Sequence, residues 1–239
     1  QPVLYVSEGL NGRDQVLIDP NTMSKDQTTS VNPVAVSDDG KLIAYGVREG
    51  GEDEQTIQFL DVDSRRQLTD RLPKGRYFRG DLKPDKSGFY YSRMTPSGSR
   101  AYYHAMGSAA AGDAEIFGQG YGPEFIIAAG LSLEGRYLVL TVNRGAGATK
   151  TEVYVQDLEK KGPIAPIVKD LDAAFRASVA GDQMFLWTNW QAPNWRVLSV
   201  DLKNPARERW REIVPEAASV IEGFSIAGGR LFANYLENV

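Results

Sequence analysis

The sequence predicts an all-β protein built from repeated four-stranded antiparallel units, and three observations carry that expectation. First, a hairpin signal recurs: Asp38-Asp39-Gly40, Asp85-Lys86-Ser87-Gly88, Glu134-Gly135, Gly181-Asp182 and Gly228-Gly229 each sit between two apolar runs. Gly accepts positive φ and Asp tolerates it, so such residues between alternating segments mark a tight turn. Second, the glycines at 40, 88, 135, 181 and 228 are spaced 48, 47, 46 and 47 residues apart. A period held that closely marks a repeat architecture. Third, an apolar strand ending in Asp61, Asp157 or Asp201 follows three of these turns, and Tyr102-Tyr103-His104-Ala105-Met106 takes its place in the second unit. Four short strands at a period in the mid-forties are the pattern of β-propeller blades.

Taken in order, residues 3–6 and 15–18 read as two strands with no Asp-Gly hairpin before them, the third and fourth strands of a blade. Four complete blades follow. Their strands are expected at 31–37, 41–48, 56–63 and 67–72; at 77–83, 88–94, 100–106 and 115–118; at 125–131, 137–143, 152–158 and 164–169; and at 175–179, 183–188, 196–202 and 210–214. A half blade at 220–226 and 230–236 ends the series. Each of the five glycines is expected in the turn joining the first two strands of its unit. Pairing the two half blades with each other would remove two exposed sheet edges, so a joint blade is the expected closure, with an arc of a larger ring as the alternative. Single helical turns are candidates at 23–27, 171–175 and 215–218, and 108–112 reads as a small-residue loop.

The chain has 239 residues, 42% of them hydrophobic and 24% charged, with 24 glycines. That suits one β-propeller domain over residues 1–239 with a sizeable core. A net charge of −4 argues against a nucleic-acid partner, which needs clustered positive potential. No apolar run approaches the length of a membrane span, and Gln1-Pro2-Val3-Leu4-Tyr5 already reads as a strand rather than a signal peptide. With no cysteine, disulfides and thiolate chemistry are excluded, and the compartment, cytoplasmic or periplasmic, stays open.

Few motifs suggest chemistry. The nucleophile elbow G-x-S-x-G is absent; Gly223-Phe224-Ser225-Ile226-Ala227 comes nearest but falls on an expected strand. The single histidine, His104, falls on a third strand with no serine or aspartate partner indicated, and a structural role is the simpler reading. Neither a metal site nor a cofactor is supported. The glycines at 118, 120 and 122, and Gly145 with Gly147, precede strands rather than helices, which argues for loops over a phosphate cradle. Asn32, Arg79, Asp81, Arg176 and Glu222 fall on the innermost strands. Asp81 and Glu222 are the acids that a channel glycosidase would use, against the alternative of solvated lining. The loop Gly50-Gly51-Glu52-Asp53-Glu54 carries three acids.

Read end to end, Val16-Leu17-Ile18-Asp19-Pro20-Asn21, Ser37-Asp38-Asp39-Gly40-Lys41-Leu42-Ile43-Ala44-Tyr45-Gly46, Gly88-Phe89-Tyr90-Tyr91-Ser92-Arg93, Tyr102-Tyr103-His104-Ala105-Met106-Gly107 with Asp113, and Thr188-Asn189-Trp190-Gln191-Ala192-Pro193-Asn194-Trp195-Arg196 occur in one order. In that order they resemble the propeller of the prolyl oligopeptidase (prolyl endopeptidase) family of serine peptidases. The resemblance implies a seven-bladed propeller capping an α/β-hydrolase peptidase domain, which cleaves short oligopeptides after proline with a Ser-Asp-His triad. The peptidase domain and about two blades have no counterpart here, so the chain is expected to be a non-catalytic, substrate-gating part of a larger protein. By resemblance, Asp53 matches an acid at the substrate mouth that partners a peptidase-domain arginine. Tyr77, through Arg76-Tyr77-Phe78, matches an aromatic of the substrate pocket, and Ile116, three residues after Asp113, matches another pocket position. A free-standing binding module is the alternative, because fold alone does not decide function.

Overall fold

A computed structural model of the chain describes residues 1–237. Its strands assemble into six antiparallel sheets, each meandering in sequence order, in two compact units, Gln1–Pro123 and Glu124–Val239. In the first unit β1 (Leu4–Val6) and β2 (Gln15–Ile18) form a two-stranded hairpin. The first complete blade is β3 (Ser30–Val36), β4 (Leu42–Arg48), β5 (Thr56–Asp61) and β6 (Arg66–Arg71). The second is β7 (Arg76–Leu82), β8 (Gly88–Thr95), β9 (Gly98–Ala105) and β10 (Ala114–Phe117).

The second unit contains β11 (Phe125–Leu131), β12 (Tyr137–Arg144), β13 (Thr151–Asp157) and β14 (Ala165–Val168) as a third blade. The fourth is β15 (Phe175–Ala180), β16 (Gln183–Thr188), β17 (Arg196–Asp201) and β18 (Arg211–Val214). A two-stranded sheet of β19 (Val220–Ala227) and β20 (Arg230–Leu236) follows. The four expected blades are all present. Of the strands expected in a joint blade, β1–β2 form a two-stranded sheet of the first unit and β19–β20 a two-stranded sheet of the second.

Among the described residues the helical content is three single 3-10 turns at Pro20–Thr22, Ala110–Gly112 and Arg207–Arg209. None falls on the candidate turns at 23–27, 171–175 or 215–218. At the first, the Asp19 side chain accepts from the Asn21 backbone N–H and Pro20 supplies a preset φ, so the turn forms three residues early. The small-residue stretch 108–112 contains the second.

Strand β4 shows why the apolar run Leu42-Ile43-Ala44-Tyr45-Gly46-Val47 is continuous rather than alternating. Every residue of it is buried. Successive side chains point to opposite faces, so Leu42 and Ala44 join Phe59, Phe78, Phe89 and Tyr91 in the core shared by the first two blades. Ile43, Tyr45 and Val47 join Ile18, Val31 and Leu60 in the core under β1–β2. A blade with a neighbour on each side needs both faces apolar. In the second unit one core, with Phe175, Met184 and Leu186 fully buried, joins the third and fourth blades.

The turn positions follow the glycine beat with one exception. Gly40, Gly135, Gly181 and Gly228 have φ of 69°, 70°, 56° and 56° in the turns between first and second strands. Gly88 instead opens β8, where a Cβ would meet the Tyr103 hydroxyl at 2.3 Å. Lys86 fills the left-handed turn position at φ 58°. The hydrogen bonds confirm this register: Gly40 N–H donates to Ser37 O, Lys86 N–H to Lys83 O and Gly135 N–H to Ser132 O, each at 2.8 Å.

These turns also clasp neighbouring blades at intervals close to one repeat. Lys86 pairs with Asp39. Arg136 Nη1 donates to Asp182 Oδ1 at 2.9 Å, Tyr137 Oη donates to the same oxygen at 2.6 Å, and the Gly181 N–H donates to Glu134 at 3.2 Å.

Candidate functional site

The loop between β4 and β5 begins at Gly50 and Gly51, whose φ of 60° and 76° reverse the chain. Its far end is tied to the entrance of β7 by paired backbone bonds, Gln55 N–H to Gly75 O at 2.9 Å and Gly75 N–H to Gln55 O at 3.0 Å. Two ion pairs flank that tie. Lys74 meets Glu52, and Arg76 Nη2 donates to Asp53 Oδ2 at 2.5 Å. Asp53 therefore sits on an exposed loop with its carboxylate held by an arginine of the next blade in the same chain.

Tyr77 follows directly. Its φ is 53°, an outlier for a bulky residue. The register of β7 against β8 is irregular between Arg76 and Arg79. The irregularity breaks the in–out alternation, so Arg76 and Tyr77 are both exposed while Phe78 is buried in the core. The Arg76 guanidinium carbon lies 5.8 Å from the centroid of the Tyr77 ring. Asp53, Arg76 and Tyr77 thus form one carboxylate–guanidinium–aromatic group at the end of the blade.

Ile116 is elsewhere. It occupies β10, at a register irregularity between Glu115 and Phe117, on the opposite edge of the sheet from β7. With β8 and β9 between, the strand axes are separated by roughly 14 Å at about 4.8 Å per strand. Of the three residues that the resemblance singles out, two are neighbours and the third is not. Arg76, which joins the pair, was not singled out by sequence, although it stands immediately before Tyr77.

His104 has the aspartate partners that its sequence surroundings did not indicate. It is fully buried, with Nδ1 2.7 Å from Asp113 Oδ1 and Nε2 3.1 Å from Asp70 Oδ1. Asp113 Oδ2 accepts from the Tyr91 hydroxyl at 2.9 Å, and Asp70 Oδ1 accepts from the Gly107 N–H. Burial, then the bond to Asp113, raise the Tyr91 hydroxyl well above the ordinary tyrosine range. The Phe59 ring stacks on the imidazole at 6.1 Å. Both ring nitrogens are occupied by carboxylates, which makes this a structural junction rather than an exposed base. The glycines at 118 and 120 lie between β10 and β11, and Gly145 and Gly147 between β12 and β13, all in inter-strand loops. Asn32, Arg79, Asp81, Arg176 and Glu222 lie on the first strands of their sheets.

A family model described as the N-terminal β-propeller domain of prolyl oligopeptidase matches residues 1–239, the whole chain. The chain belongs to the prolyl oligopeptidase family. It is 32% identical over its full length to the prolyl endopeptidase of Elizabethkingia meningoseptica and 30% identical to that of Elizabethkingia miricola. It spans 35% of the length of each of these relatives. A solved prolyl endopeptidase structure, 32% identical, superimposes over 98% of this chain and 36% of its own with a TM-score of 0.90. Prolyl oligopeptidase B of Galerina marginata, bound to a 35-residue hydrolysis and macrocyclization substrate, is 25% identical with a TM-score of 0.85 over 98% of this chain and 37% of that one. The fold is therefore the propeller of prolyl oligopeptidases.

Proposed function

We propose that this propeller gates a serine endopeptidase that cleaves short proline-containing oligopeptides after proline, taking no part in bond breaking itself. The observation that carries the reading is one of coverage: prolyl endopeptidases align with all of this chain, yet about two thirds of each relative has no counterpart in it. The partner is then an α/β-hydrolase peptidase domain of the same parent protein, which supplies the Ser-Asp-His triad. The propeller acts by steric filtering and lends a few groups to the cavity. Asp53 and Tyr77 are the first of these, with Ile116 a third contributor from the outer strand. One oxygen of Asp53 bonds Arg76, which leaves the other for an arginine of the peptidase domain.

The test uses the full-length parent. Steady-state hydrolysis of a short proline-containing fluorogenic peptide is compared with digestion of a long unfolded polypeptide rich in proline. Cleavage after proline in the short peptide, abolished by a serine-reactive phosphonate, with the long chain left intact, is the expected result. No cleavage after proline, or equal attack on both substrates, overturns the reading.

A further inference from the structure

We propose that Arg76 is a positioning residue that fixes Tyr77 for contact with bound peptide, with Asp53 acting in part by holding Arg76. The inference rests on the gating reading above and deepens it. Three observations converge on Arg76. It bridges two blades through its 2.5 Å bond to Asp53. Its guanidinium covers the Tyr77 ring at 5.8 Å. Tyr77 itself is 46% exposed and stands on a left-handed backbone, φ 53°.

A strained aromatic left half in solvent is an uneconomical way to build a strand, and such outliers persist where neighbouring contacts over-determine them at working surfaces. Arginine suits this position chemically. The planar guanidinium donates hydrogen bonds in its plane to a carboxylate while its face packs on an aromatic ring, which a lysine ammonium cannot do. The group therefore presents one face of Tyr77, backed by a cation that Asp53 holds in place. An apolar side chain or ring of a peptide is the occupant that such a face takes, because it loses no hydration of its own on docking.

Steady-state kinetics on the full-length parent test this. The substrates are proline peptides in which each residue before the proline is changed, one at a time, between glycine and a large apolar residue. Arg76→Gln and Arg76→Lys are each expected to raise KM roughly three- to tenfold, with kcat within about twofold. Both are expected to shrink the preference for the apolar residue at the same peptide position as Tyr77→Ala. The double variant Asp53→Asn/Arg76→Gln is expected to be no worse than Asp53→Asn alone, because the two residues share one contact. Wild-type discrimination in Arg76→Gln where Tyr77→Ala loses it, or effects of Asp53→Asn and Arg76→Gln that multiply, overturns the inference alone. A wild-type parent without turnover after proline overturns the gating reading and this inference together.

Discussion

His104 Nε2 lies 3.1 Å from Asp70 Oδ1, across the junction between the first and second blades. Asp70 is on β6, the last strand of one blade, and His104 on β9, the third strand of the next. With Asp113 on the other nitrogen, three ionisable side chains meet where the imidazole is fully buried and the carboxylates are 4% and 3% exposed. Removing one member of such a group leaves uncompensated buried charge, which typically costs about 3–5 kcal/mol. His104→Leu is expected to lower the unfolding free energy by that amount in urea titration. A double-mutant cycle with Asp70→Asn is expected to give a coupling of about 1–3 kcal/mol. A coupling near zero would show that the inter-blade contact carries no stability.

The expectation that His104 is structural came from what its sequence lacks, whereas the structure supplies what holds it. Asp70 is 34 residues away on a polar outer strand, Arg66-Gln67-Leu68-Thr69-Asp70-Arg71, where nothing local distinguishes it from a solvated acid. Blade positions were readable because hairpin turns and strand alternation are local and repeat. Contacts between blades depend on how consecutive sheets stack, and no pattern within a blade encodes that. Arg76 was hidden for a related reason. A regular strand would direct Arg76 and Tyr77 to opposite faces, and the irregular register that exposes both is a tertiary feature.

The one misplaced glycine makes a sharp comparison. Gly40 needs its left-handed φ of 69° but has open space where a Cβ would stand. Gly88 has no such φ but has the Tyr103 ring against it. Asparagine tolerates the left-handed region, so Gly40→Asn is expected to cost under about 1 kcal/mol. Gly88→Asn must displace Tyr103, an overpacking cost of about 1–3 kcal/mol. Thermal unfolding of the two variants checks the ordering, and equal losses would contradict the assignment of Lys86 rather than Gly88 to the turn.

Asp53 is one of three consecutive acids, and the structure separates them by partner. Glu52 pairs with Lys74, and Asp53 pairs with Arg76 beside Tyr77. If Asp53 serves the cavity mouth, Asp53→Asn in the full-length parent is expected to lower kcat/KM by roughly tenfold to a hundredfold, about 1.4–2.8 kcal/mol. The fold is expected to lose little, because exposed ion pairs contribute about 0–1 kcal/mol. Glu52→Gln and Glu54→Gln are expected to stay near wild type. Equal values across all three would remove Asp53 from the functional site.

The clasp between the third and fourth blades predicts opposite pH responses from two partners in one hydrogen bond. Lys203, and after it Tyr137, hold the Asp182 carboxyl down to about 2. The ordinary value in an unfolded chain is about 3.9, so the folded state releases this proton more readily. Asp182 therefore stabilises the fold fully above about pH 4, and its contribution is lost as pH falls through about 2. Tyr137 behaves in the reverse sense. Burial, then its bond to Asp182, push its hydroxyl up to about 12, against about 10 in the unfolded chain. Above about pH 10 ionisation favours the unfolded chain, so stability is lost as pH rises through about 12. Urea midpoints measured across pH resolve the two limbs. Asp182→Asn is expected to shallow the acid limb between about pH 4 and 2, and Tyr137→Phe the alkaline limb between about pH 10 and 12. An acid limb unchanged by Asp182→Asn would show that the turn-to-turn clasp, although its geometry is close, does not stabilise the junction.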